Sequence, residues 1–318
     1  MNKLNSKASK AFSLIELSIV ILIIGIIVAG ITQSSRLVTQ SKLKSAQNLT
    51  SSSPVAGIKS VSLWLEPTLD ASFPSSLDDE AFITQWNDTN PQTPSKLYAV
   101  PASGSSSLNI AYDSNGINGL PSIKFPATAS TSASVLSVST TPVSTVTPFF
   151  TETPVITVDD PKSPNAFTAF IVYIDSGATA ASTLLYNGAN GTNGWGYQKS
   201  ATATRVLTIA PSITAGISSF PTSRAEIATI TYSGSTSKNI KLYINGGVGF
   251  TTPTTDTTLT TAIATPATRM TIGGISTGGN GPWKGLISEI IIFDTVLKNQ
   301  DLKDVASYLS KKYSISLQ

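Results

Sequence analysis

The stretch Lys10–Ile31, "KAFSLIELSIVILIIGIIVAGI", decides how this chain is read, because it sets one carboxylate, Glu16, inside an otherwise apolar run. Between Phe12 and Ile31 the run is broken only by Ser13, Glu16, Ser18, Gly25, Ala29 and Gly30. At 1.5 Å per residue, a helix of that length spans about 30 Å, the hydrocarbon thickness of a bilayer. Lys3, Lys7 and Lys10 precede it with no acid among them. The positive-inside rule therefore puts the N-terminus in the cytoplasm and everything beyond residue 31 outside. Glu16 costs up to about 3 kcal/mol in lipid even on lenient insertion scales, so it calls for a partner.

A secretory signal would have a shorter apolar core and a small-residue cleavage site, and a plain signal anchor gives no reason for the acid. A basic leader ending in "KA" and followed by "FSLIELSIVILIIGIIVAG" resembles the prepilin signal of type IV pilins and of the pseudopilins of type II secretion. The resemblance covers about the first 50 residues. It implies cleavage by a prepilin peptidase between Ala11 and Phe12, N-methylation of Phe12, and a role for Glu16 as the carboxylate that pairs with a neighbouring subunit's amino terminus during filament assembly. One departure stands out: the family prefers glycine before the cut, and here the residue is Ala11. The implied route is insertion in the bacterial inner membrane with the head exported, then a periplasmic or cell-surface filament of pilin-like subunits built by assembly machinery.

Past Ile31 the segment "TQSSRLVTQSKLKSAQNLTSSS" keeps apolar residues at a loose three-to-four spacing, which continues one long helix, with Pro54 and Gly57 as stop signals. The expected division is a leader at 1–11, a transmembrane and assembly helix at 12–52, a linker at 53–59 and a body at 60–318.

Charged residues make up only 12% of the 318 and the net charge is +3, so the body is nearly neutral and nucleic acid is not an expected partner. Cysteine and histidine are absent, which excludes disulfides, thiolate or imidazole metal sites, and catalytic triads built on either residue.

In the body, short runs rich in β-branched and aromatic residues alternate with turn chemistry. Strands are expected at 60–66, 122–125, 167–175, 182–187, 226–233, 239–246, 269–274 and 286–294. Asn-Gly steps at 115, 118, 187, 190, 193 and 245 supply the positive-φ turns of hairpins. The fold class read from this is mainly β: a long N-terminal hydrophobic helix, an antiparallel two-sheet sandwich, and a short C-terminal helix that Asn299 is placed to cap. "WKGLISEIIIFDTVLKNQDLKDVASYLSKKY" (283–313), with "KLYINGG" upstream and "SLWLEP", "ITQWND" and "GINGLPSIKF" near the start, resembles concanavalin A-like, laminin-G-like jelly-roll domains over roughly residues 58–315.

That resemblance implies three kinds of site. Glucanases of the fold use closely spaced carboxylates on one strand; here Glu289 and Asp294 fall on opposite faces and Glu289 reads as a strand-end acid, so no enzyme is expected. Laminin-G-like domains often bind calcium through loop oxygens, for which Asp159, Asp160, Asp175 and Asn165 are weak candidates; no cofactor is otherwise expected. Lectins of the fold stack sugars on exposed aromatics, and "NGANGTNGWGYQ" (187–198) offers Trp195 and Tyr197 with Asn193 as ligand-binding candidates. The plainer reading of this loop is a glycine-rich hairpin whose rings pack on the sheet. The Ser/Thr/Pro-biased segment 129–148 reads as an exposed or glycosylated loop.

The function expected is a pilin-like subunit, a minor pilin, pseudopilin or tip adhesin, whose head contacts surfaces or glycans. The alternative is a membrane-anchored carbohydrate-binding module that does not polymerise.

Overall fold

The computed structural model describes residues 13–94, 96–102, 110–126, 135–139, 166–177, 180–189, 192–210, 213–234, 238–259, 263, 270–275 and 281–318, with backbone alone for 32, 33, 35 and 213–219. The chain divides into two units, one ending at Lys42 and one running from Leu43 to Gln318. In the first unit, helix α1 (Leu14–Ser51) begins with Leu14, Ile15, Leu17, Ile19 and their apolar successors exposed on every side. A helix that is apolar all round is suited to lipid or to other helices rather than to water. It is the single described helix long and apolar enough to cross a membrane. Its last turns belong to the second unit, and a 3-10 turn starting at Pro54 follows, since proline can open a helical turn but not continue one.

In chain order the strands are β1 (Val61–Leu65), β2 (Trp86–Asn87), β3 (Tyr98–Pro101), β4 (Ala111–Asp113), β5 (Ser122–Phe125) and β6 (Leu136–Ser139). Next come β7 (Ala166–Asp175), β8 (Ser182–Asn187), β9 (Trp195–Lys199), β10 (Thr204–Ile209), β11 (Ile213–Ser219) and β12 (Ala225–Ser233). The chain continues through β13 (Asn239–Ile244), a single turn α2 (Gly247–Phe250), β14 (Thr255–Thr258), β15 (Met270–Ile272), β16 (Gly281–Pro282), β17 (Gly285–Phe293) and helix α3 (Asn299–Tyr313). One sheet has the order β14-β13-β12-β7-β17-β5-β4, with β1 also on β17; the other runs β11-β10-β9-β8-β15-β6-β3-β2, with β16 on β8. Every pairing is antiparallel except β16 with β8.

The eight expected strands are all present, as β1, β5, β7, β8, β12, β13, β15 and β17. Two expectations need correction. Residues 136–139, inside the supposed Ser/Thr loop, form β6 between β15 and β3, and the rest of 129–148 lies outside the described residues. Lys298, not Asn299, occupies the cap position of α3, without a side-chain cap, and Asn299 is the first helical residue.

Strand β7 shows how the layers form. Phe167, Ala169, Ile171 and Tyr173 enter the core between the sheets, while Phe170 and Val172 point outward into a second core under α3, with Leu302, Val305, Leu309 and Tyr313. A strand covered on both faces must be apolar on both, which is why "AFTAFIVYID" does not alternate. Ala46, near the end of α1, is buried in that same outer core.

Candidate functional site

The first candidate lies at the start of α1. Glu16 Oε2 accepts the backbone N–H of Ser13 at 2.9 Å. The first turn of a helix leaves its N–H groups without partners, and a carboxylate three residues on can satisfy one of them. Glu16 thus closes a local contact on a helix whose neighbouring apolar side chains are all exposed. Ala11 and Phe12, the expected processing residues, lie outside the described residues.

The second candidate, the 187–198 loop, takes the plainer of its two readings, a hairpin whose rings pack on the sheet. Trp195 is buried and stacks on Phe167, ring centroids 4.3 Å apart and 16° from parallel. Tyr197 is fully buried on the inner face of β9. Asn193 turns its Oδ1 onto the Ala189 N–H at 2.9 Å, which holds the turn instead of a ligand. Gly194 shows why the turn is so tight: at φ +82° its backbone runs so close to Asn187 that a Cβ would meet the Asn187 carbonyl oxygen at 1.7 Å. The ring-stacking platform is therefore part of the sandwich core.

Among the described residues, Asp175, Glu226, Glu66 and Glu289 fall in two buried clusters. Asp159, Asp160 and Asn165 lie outside the described residues. Asp175 is buried at the end of β7, with Oδ2 2.6 Å from Lys199 Nζ. An ammonium already holds that oxygen, and the side chain is closed to solvent. One residue pair further in, Tyr173 OH and Tyr197 OH lie 2.9 Å apart, Tyr173 donates to Glu226 Oε2 at 2.7 Å, and Arg205 donates to the same oxygen at 2.6 Å. Burial, before any charge effect, pushes both tyrosines well above the ordinary phenol range.

The other cluster sits under α3, and the sequence reading missed it. Glu289 is not a strand-end acid: it is fully buried in the middle of β17. A bulge at Ser288 shifts the register between Ile287 and Glu289. Ile287 and Ile290 face the inner core, whereas Ile291 and Phe293 join the outer one, so the extra residue turns Glu289 outward toward α3. There Glu289 accepts from Trp64 Nε1 (2.8 Å), Tyr308 OH (2.7 Å), Tyr313 OH (2.9 Å) and Lys312 Nζ (2.8 Å). Lys312 also donates to Glu66 Oε2 at 2.9 Å. Thr50, in the last turn of α1, reaches the Tyr308 hydroxyl at 3.2 Å. The signal available in sequence was the pairing of an acid inside an isoleucine run with a lysine at the end of an amphipathic helix.

On the outer face of the first sheet, a groove of about 310 Å³ is lined by Thr231 and Ser233 of β12, Asn239 and Lys241 of β13, and the Val296–Leu297 wall before α3. Beside it, Lys241 Nζ pairs with Asp256 Oδ2 at 3.2 Å. The groove presents hydroxyls, an amide and a balanced charge pair against an apolar wall. Among the described residues, no group of three or more acids is arranged to hold a metal.

Comparison with known proteins finds two family models on this chain. Residues 6–32 match the prokaryotic N-terminal methylation motif, and residues 152–303 match the concanavalin A-like lectin/glucanases superfamily. No match is found among curated proteins. Among solved structures, the binding domain of botulinum neurotoxin serotype D is similar at 14% identity and TM-score 0.51, covering 80% of this chain and 52% of that one. The binding domain of Paraclostridial Mosquitocidal Protein 1 gives 11% identity and TM-score 0.50 over 78% and 52%. A Trypanosoma rangeli sialidase gives 14% identity and TM-score 0.44 over 87% of this chain and 39% of its own. The chain thus spans about half or less of the chains it resembles, and at these identities the likeness is one of fold.

Proposed function

We propose that this chain, which carries a type IV pilin methylation motif and a concanavalin A-like sandwich, is a minor pilin, pseudopilin or tip adhesin of a type IV filament or related secretion system. The observation that carries the reading is Glu16 at the start of a helix whose large apolar side chains from Leu14 to Ile31 are exposed. Helices of this kind bury their surface against one another as the core of a fibre, with the heads outside. A prepilin peptidase cuts before Phe12, the new ammonium lies in an apolar layer, and Glu16 of a neighbour compensates it, because an unpaired charge there is costly.

The head acts by binding, not catalysis. Glycoside hydrolysis needs two carboxyl groups within reach of a sugar. Glu66, Glu226 and Glu289 are instead held by internal donors and closed to solvent, a state that supports a non-catalytic role. The groove on the outer face is the surface we assign to glycan or cell-surface contact.

Mass measurement of the protein purified from cells tests the reading. A chain starting at N-methylated Phe12 is expected. A chain that retains Met1–Ala11 overturns filament assembly and leaves the second reading, a membrane-anchored carbohydrate-binding module, which the Ala11 departure favours.

A further inference from the structure

The chain has no cysteine, so its two sheets cannot be joined by a disulfide. Another side-chain pair stands in position to join them. Asp175 closes β7 in one sheet and Lys199 closes β9 in the other, and both side chains are only 1% exposed. The Lys199 ammonium reaches Asp175 Oδ2 at 2.6 Å. Asp175 Oδ1 is equally buried and accepts no hydrogen bond among the described residues. Just inside the pair lie the Tyr173 and Tyr197 rings, with Phe220 and Trp283 each 5.8 Å from Tyr173.

The second buried lysine shows what is unusual here. Around Lys312, Glu289 receives four donors; Glu66 receives the Thr68 and Leu69 N–H groups, the Thr68 and Ser72 hydroxyls, and Lys312. Those donors replace water and occupy both oxygens of each carboxyl, so neither is left open to attack by the amine. Asp175 has one donor in place of several. With Oδ1 unpartnered among the described residues, the Asp175 carboxyl is open to the Lys199 nitrogen that already touches its other oxygen.

We propose that Lys199 and Asp175 condense to an intramolecular isopeptide bond that joins the two sheets. The ammonium first gives a proton to Oδ2. The amine lone pair then forms the Nζ–Cγ bond, the Cγ–Oδ2 bond breaks, and Oδ2 leaves as water with a second proton from nitrogen. One amide forms, one water is lost, and no oxidant or reductant takes part. Holding amine and acid in contact supplies the effective concentration that such a condensation lacks in solution. The bond joins residues 24 positions apart in the chain and ties β7 to β9 covalently.

Intact mass and a tryptic map of the full-length chain, purified in detergent, test this. The expected mass is about 18 Da below that of the sequence in the same N-terminal form. The map should show a branched peptide joining the segments that contain Asp175 and Lys199, with no cleavage after Lys199. Lys199→Arg, which keeps the buried cation, restores the full mass, and Asp175→Ala does the same. Lys312 stays unlinked and serves as the internal control. An unmodified mass with normal cleavage after Lys199 overturns the proposal, and so does a loss of water traced to a linear peptide, such as a succinimide at Asp175–Ser176. The wild-type map needs no variant to fold.

Discussion

Lys312 Nζ lies 2.8 Å from Glu289 Oε2 and 2.9 Å from Glu66 Oε2, with all three side chains closed to solvent. One cation serves two anions, so the cluster tolerates the loss of a carboxylate better than the loss of the lysine. Lys312→Met leaves two buried carboxyls without their cation, and breaking a buried pair in this way costs about 3–5 kcal/mol. Urea unfolding of the head should show that loss. A cost under about 1 kcal/mol would mean that water reaches the cluster.

The same cluster makes stability depend on acid. Burial alone would raise the Glu66 carboxyl, but Lys312 and the Ser72 and Thr68 hydroxyls outweigh it and hold the group below its ordinary 4.5. A carboxyl depressed on folding contributes stability that is fully present above its unfolded value and lost as pH falls through the folded one. Unfolding measured from pH 7 down to pH 3 should therefore show a steep decline below about pH 4.5. Glu66→Gln lowers stability at pH 7 and flattens the decline; an unchanged acid slope in that variant would assign the effect to other carboxyls.

Trp195 separates a core residue from a ligand platform. Its indole is 1% exposed and stacked on Phe167. Trp195→Ala should cost about 3–5 kcal/mol through the cavity it leaves. Glycan affinity of the fraction still folded should stay unchanged in a calorimetric titration at low temperature. Loss of binding with an unaltered melting temperature would restore the loop to the ligand site.

These cases mark where the sequence was legible. β7, β12 and β17 could be read because runs such as "FTAFIVYID" and "LISEIIIFD" are too β-branched and too short for a helix. The helix at 14–51 was legible from its length and lack of breakers. Glu289 was misread because alternation alone fixes a side chain's face only until a bulge intervenes, and the bulge at Ser288 leaves no signal in composition. Trp195 was left between a ligand platform and a packed hairpin because glycine neighbours suit both an open loop and a close approach of strands. Here Gly194 and Gly196 bring strands close: a Cβ on Gly196 would lie 2.2 Å from the Tyr186 ring. β2 and β16, two residues each, were beyond any periodicity.

Glu16 has two separable duties, and the choice of substitution distinguishes them. Its carboxylate accepts the Ser13 N–H within one chain, a contact that needs an oxygen but no charge. Compensation of a neighbour's ammonium needs the charge itself. Glu16→Gln keeps the acceptor and removes the charge, whereas Glu16→Leu removes both. If filament assembly rests on the charge, both variants reach the membrane fraction and neither enters sheared surface fibres, with incorporation falling at least about tenfold, the equivalent of about 1.4 kcal/mol. If Glu16→Gln enters fibres like the unaltered chain while Glu16→Leu does not, the carboxylate serves the first turn of its own helix, and assembly draws its specificity from apolar contacts along α1 instead.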